Sequence, residues 1–143
     1  MDYQAICAAL EVPISSAFIS QAPNTQLYFD NIIAIPPDPD KEYAMINIAF
    51  GNTTESAINS LLDRARGIIV IRIYTPKDIG GLRARQLSAI AKSVLSDLGK
   101  TRKTATGIFI RTQNIMGPSF SMNNESPHFF ARIEAAWHAT KSN

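Results

Sequence analysis

The chain has 143 residues, of which 45% are hydrophobic, 8% aromatic and 18% charged. A chain of about 150 residues buries roughly two-thirds of its unfolded surface, so one core can form without disulfide or metal staples. Fourteen Lys and Arg against twelve Asp and Glu leave a net charge of +2, too balanced for a protein that lives on phosphate backbones.

Cys7 is the single cysteine, which excludes an intrachain disulfide and a Cys-rich zinc site. Its apolar neighbours predict a buried thiol. The N-terminus lacks a basic region followed by an apolar run, and no stretch reads as the ~20 apolar residues of a membrane span. The expectation is a protein made and kept in a cytoplasm, or assembled there into something larger, with no membrane partner.

Along the chain, Asp2 is a candidate N-cap for a helix with Tyr3, Ile6, Cys7 and Leu10 on one stripe. Ile14, Ala17 and Phe18 continue the stripe beyond Pro13, which predicts a kink or a second short helical piece. Residues 21–25 read as a turn and Leu27 to Phe29 as a short strand. Pro36, Pro37 and Pro39 then make an extended connection.

Tyr43 to Phe50 alternate as a strand with Ala44, Ile46, Ile48 and Phe50 on one face. Gly67 to Thr75 are β-branched enough to predict a strand buried on both faces. Between them the polar run Gly51 to Arg66 predicts a long projecting hairpin loop, with a helical turn at Ala57 to Leu62.

Leu87, Ile90, Ala91, Val94, Leu95 and Leu98 mark one face of a helix from about Gly81 to Leu98, with Gly99 as its stop. Arg85, Lys92, Ser93 and Ser96 lie opposite. A basic turn, Lys100 to Lys103, leads to a strand over about 107–115 that Gly117-Pro118 interrupts. His128 to His138 form the last strand, with Phe129, Ala131, Ile133, Ala135 and Trp137 on one face. The fold class is therefore α+β over 1–143: a mixed, mostly antiparallel sheet of about five strands, two helices on one face and a long hairpin arm.

Catalytic chemistry finds little footing. Gly99-Lys100-Thr101 resembles the end of a phosphate-binding loop, but Val94 stands where its first glycine belongs. His128 and His138 share a face but lie ~33 Å apart on a regular strand, too far to share a metal or a proton, and are expected to be partly exposed. No Gly-x-Ser-x-Gly elbow occurs, and Asp38 and Asp40 lack metal-loop spacing. The reading is a non-enzyme without catalytic, metal or cofactor residues. Arg64 and Arg66, with Lys100, Arg102 and Lys103, suit contacts with acidic protein surfaces better than base stacking.

The order of segments resembles bacteriophage tail-terminator-like minor tail proteins. The matching pieces are the first helix with Ile6, Ala9 and Leu10; Tyr28-Phe29-Asp30-Asn31; Pro36-Pro37 before a strand at Tyr43; the return limb Arg64 to Ile73; Pro76; Gly80-Gly81 opening an Ala-rich helix; and an aromatic last strand. The resemblance implies a homo-oligomeric ring, commonly a hexamer, that caps the tail tube, stops its growth and offers a docking surface to the neck. Its neighbours would be the tube protein on one face, a head-completion or adaptor protein on the other, and the sheath in a contractile tail. DNA would pass through the lumen without sequence-specific contacts, and the protein would reside in the virion. The alternative is another neck ring protein, such as a head-to-tail joining protein. Candidate assembly contacts are Asn52, Thr53, Thr54, Glu55, Arg64 and Arg66 on the arm, and Lys100, Arg102 and Lys103 at the basic turn.

Overall fold

A computed structural model describes residues 3–30, 41–55, 62–76, 81–100, 103–105, 107–122 and 128–142. Its first element, α1 (Tyr3–Gln21), buries Ile6, Leu10, Ile14 and Phe18, one residue per turn along a single stripe. Pro13 lies inside it. A proline in a helix interior costs about 3 kcal/mol, but each of the four buried side chains returns roughly 1.5–3 kcal/mol, so the helix continues as one element instead of giving way to a second piece. By length and composition α1 meets the minimum for a membrane span, contrary to the sequence reading, and its buried stripe is that of a core helix. Cys7 beside that stripe is half-buried; burial first, then the negative charges of Glu11 and Asp30, push its thiol up. Asp2 lies outside the described residues, as do 31–40.

Six strands follow: β1 (Gln26–Tyr28), β2 (Tyr43–Glu55), β3 (Leu62–Pro76), β4 (Lys103–Ala105), β5 (Ile108–Met122) and β6 (His128–Ser142), with α2 (Leu82–Lys100) between β3 and β4. They form one sheet in the order β1-β2-β3-β6-β5-β4. Only β1 and β2 run parallel; the other neighbours are antiparallel. Strand side chains of one face, among them Ala44, Ile46, Ile69, Ile71, Ile110, Ala131 and Ile133, join those of both helices in a single core. The α+β class with both helices on one face of a mixed sheet is thus the observed fold.

Four expectations are corrected. The run over 51–66 is no projecting loop at its ends, because β2 reaches Glu55 and β3 begins at Leu62, paired as Thr53↔Ala65, Thr54↔Arg64 and Glu55↔Asp63. On its other side β3 pairs with β6 as far as Leu62↔Ser142. Ladder hydrogen bonds on both sides outweigh the weak strand propensity of polar residues. The turn expected at Ala57 to Leu62 lies outside the described residues up to Leu62, which is strand.

Gly99 does not stop α2, which runs through to Lys100. Its reason is space: a Cβ there would stand 2.8 Å from the Thr112 carbonyl oxygen. The hydroxyl of Thr112 donates to the Leu95 carbonyl, and Arg111 Nη2 donates to the Gly99 carbonyl at 3.0 Å. β5 thus supplies a donor to one of the open carbonyls of the helix end, that of Gly99.

Gly117-Pro118 does not end β5. The strand absorbs two irregularities, between Gln113 and Met116 and between Met116 and Ser119, with Asn114 (φ 54°) and Gly117 (φ 100°) supplying the left-handed residues. Such bulges twist a strand without breaking its pairing. Finally, β3 is buried on both faces only near its middle: Val70 is 6% exposed, but Ile68 is 44% exposed.

Arg83 fastens α2 to the start of β2, its Nε and Nη2 donating to Glu42 at 2.8 and 2.7 Å while Thr25 Oγ1 donates at 3.0 Å. The Arg83 hydrogen bond holds the Glu42 carboxyl below its ordinary value near 4.5 against the opposing effect of burial. A depressed carboxyl stabilises the fold above its unfolded-state pKa and loses that contribution as pH falls through the folded one. Glu42→Gln is expected to lower stability by about 1 kcal/mol at neutral pH, given a partly exposed partner. The difference from the parent chain should vanish below the carboxylate range, as urea titrations over pH would measure.

Candidate functional site

With the helices covering one face of the sheet, the opposite face carries the polar side chains, and they are sorted along the strands. At one end Tyr43 stacks on Tyr74 with centroids 4.5 Å apart, and Phe130 lies 5.3 Å from Tyr74. His128 stands edge-on to Tyr43 at 5.2 Å. It is only 3% exposed, with Nε2 3.0 Å from the Lys41 carbonyl, so the expected partly exposed strand histidine is a buried structural one. Tyr43 of β2 and Tyr74 of β3 both stand edge-on to it.

The middle of this face is a polar network. Asp30 accepts from Asn47 Nδ2 at 2.9 Å and from the Ile48 amide at 3.1 Å, and Arg72 donates to Asn47 Oδ1 at 2.8 Å. The Ile48 amide lies on the outer side of β2 beyond the last residue paired with β1, so Asp30 satisfies an edge donor that the short β1 leaves open. On the other helical side Glu11 sits near enough to Asp30 for burial and that charge to push its carboxyl up. Arg132 pairs with Glu134 at 2.9 Å along β6.

The far end is cationic. Arg64 and Arg66 alternate with the buried Ala65, so both guanidinium groups stand on the uncovered face. Together with Ile68, Gln113, His138 and Thr140 they line a groove of about 900 Å³. Register explains the grouping: Arg66 is opposite His138, Arg64 opposite Thr140, and Ile68 opposite Ala136. Beneath the groove the strands crowd together. Gly67 faces Phe50 just before the irregularity between Phe50 and Thr53, and Trp137 covers Gly67 while standing edge-on to Phe50 at 5.3 Å.

Most of the residues singled out from sequence lie at this end of the sheet, spread over its strands and the end of α2. Asn52, Thr53, Thr54 and Glu55 lie in β2, next to Arg64 and Arg66 on β3. Lys103 lies in β4, and one line of register runs Thr53↔Ala65↔Ala139↔Ile110↔Lys103 across five strands. At ~4.8 Å per strand this line spans about 19 Å. Lys100 is the exposed last residue of α2; Arg102 lies outside the described residues. Sequence reasoning missed Gln113, Thr140 and Ile68 as groove residues. Thr140 lay beyond the expected end of the last strand and Ile68 in a run read as buried on both faces, and only the β3–β6–β5 register puts the three side by side.

Among the described residues no group of three His, Cys, Asp or Glu could hold a metal ion. No family model matches the chain, and no curated protein matches it in sequence. Among solved structures 31 chains match. One of them, a protein bearing only a sequence label, is 17% identical and superposes over 97% of this chain and 96% of its own with a TM-score of 0.75. At that identity the likeness is one of fold.

Proposed function

We propose that the chain is a structural subunit of a phage tail, a terminator that forms a homo-oligomeric ring on the tail tube. The observation behind this reading is that Arg64 and Arg66 lie beside the β2 segment over 52–55 at one end of the sheet, the end at which β4 with Lys103 and the last residue of α2, Lys100, also lie. A ring subunit needs such an end, because two different surfaces of one chain must meet head to tail for a rotation to close. The sequence resemblance over nearly the whole chain and the α+β fold point the same way.

In this reading one ring face is complementary to the tube subunit and the other does not repeat it, so addition of further tube rings stops. The other face receives a neck or head-completion protein, and a sheath where the tail contracts. DNA crosses the lumen without base readout, and the protein ends in the virion. A head-to-tail joining ring is the alternative, and it would bind the portal side without capping tubes.

The test is the mass of the purified chain by light scattering across concentration and salt, followed by growth of the matching tube protein in its presence. A closed ring of about six copies, or shortened tubes with a capped end, is the expected result. A monomer that leaves tube length unchanged overturns the reading.

A further inference from the structure

We propose that the groove at the cationic end of the uncovered sheet face is a docking site for an extended peptide segment of a partner protein, carrying carboxylates at alternate positions followed by an apolar residue. The argument is one of spacing and charge. Arg64, Arg66 and Ile68 occupy successive same-face positions of β3, and same-face neighbours on a strand are about 6.6 Å apart. An extended peptide laid along β3 has the same repeat, so side chains at i, i+2 and i+4 meet guanidinium, guanidinium and isobutyl-sized apolar surface in turn.

The facing strand repeats the grading, since Thr140, His138 and Ala136 stand opposite Arg64, Arg66 and Ile68. One end of the groove is thus polar and cationic, the other apolar. Neither Arg64 nor Arg66 takes part in an ion pair among the described residues, and none of the described lining residues is acidic. A carboxylate from outside would therefore gain a charge-assisted, bidentate partner at each arginine without displacing an ion pair among the described residues. The groove volume of about 900 Å³ accommodates several residues. A nucleic acid suits it less well, because two guanidinium groups neutralise few phosphates and Trp137, only 1% exposed, offers no stacking face. The proposal does not depend on the ring, since a single copy carries the whole groove.

The experiment is selection of a library of short random peptides on the immobilised intact chain. A fluorescein-labelled copy of the most enriched peptide is then titrated against the parent and the double variant Arg64→Gln, Arg66→Gln. Both side chains are exposed, so the variant is expected to fold, and circular dichroism checks it. Enriched peptides should show acid, any residue, acid, any residue, apolar; binding should weaken at least about tenfold in the double variant. The proposal is overturned if no acidic pattern is enriched, or if an amide-for-acid peptide binds equally well. It is also overturned if the double variant binds unchanged, if single-stranded DNA competes as strongly as the peptide, or if the substitutions abolish only self-association.

Discussion

Gly67→Ala is expected to cost about 3–5 kcal/mol, on the order of a 10 °C fall in Tm. A Cβ at this position would stand 1.9 Å from the Ala49 carbonyl oxygen, and 2.8 and 2.9 Å from Cζ2 and Cε2 of Trp137. The indole could shift; the carbonyl belongs to the neighbouring strand and could not move without parting β2 from β3. The other glycines set the scale. At Gly99 an added Cβ meets the Thr112 carbonyl at 2.8 Å, and a helical alanine recovers up to ~1 kcal/mol of propensity, so a smaller loss follows there. Gly107 has φ +77° and nothing within 4 Å, so Gly107→Ala costs only its backbone strain, about 1 kcal/mol. Thermal melts of the three variants should rank in that order. A Gly67→Ala chain as stable as Gly107→Ala would mean that the strands separate freely here.

The reason for this crowding bears on what the sequence could disclose. The face assignments of β2 and β6 were legible because alternation at period two is a local property, and Ala44, Ile46, Ile133 and Trp137 obey it. Helix α2 was legible for the same reason at period 3.6. The ends of β2 and β3 were not, because this stretch is polar and carries no core-facing alternation; 53–55 of β2 are held by pairing with β3, which β6 holds in turn from its other side. Gly99 read as a helix stop for want of knowing that β5 passes under it. Gly117 and Pro118 read as an end because a bulge and a break share the same residues, and only pairing with β6 separates the two cases.

The candidate site shows the same division. Arg64 and Arg66 were visible as a basic pair, but they read as part of a loop, and their orientation about the buried Ala65 appears only because β3 begins at Leu62. Their placement beside His138 and Thr140 depends on a register set far away, by the core residues Ile69, Ile71, Ala131 and Ile133 that pair β3 with β6. A one-residue slip would exchange core for groove on the whole strand. The core therefore selects the groove, and a change in packing beneath it reaches the surface through the strands.

Trp137→Ala is the second large effect, expected at about 3–5 kcal/mol as a cavity opens under β3. The residue is 1% exposed, lies against Gly67 and meets Phe50 edge-on. Its indole N–H, however, is buried without a hydrogen-bond partner among the described residues, and an unmet donor costs about 1–3 kcal/mol. Trp137→Phe removes that donor while keeping an aromatic ring against Phe50, so it should lose less than half as much as the alanine variant. Urea unfolding followed by circular dichroism decides, since the tryptophan signal is removed in both. Equal losses would show that the full area of the indole, and not its ring character, holds this end of the sheet. In combination, Trp137→Ala should rescue Gly67→Ala only in part, because it removes the ring contact and leaves the Ala49 carbonyl where it was. A full rescue would assign the whole Gly67 effect to the indole and free the two strands from any backbone constraint.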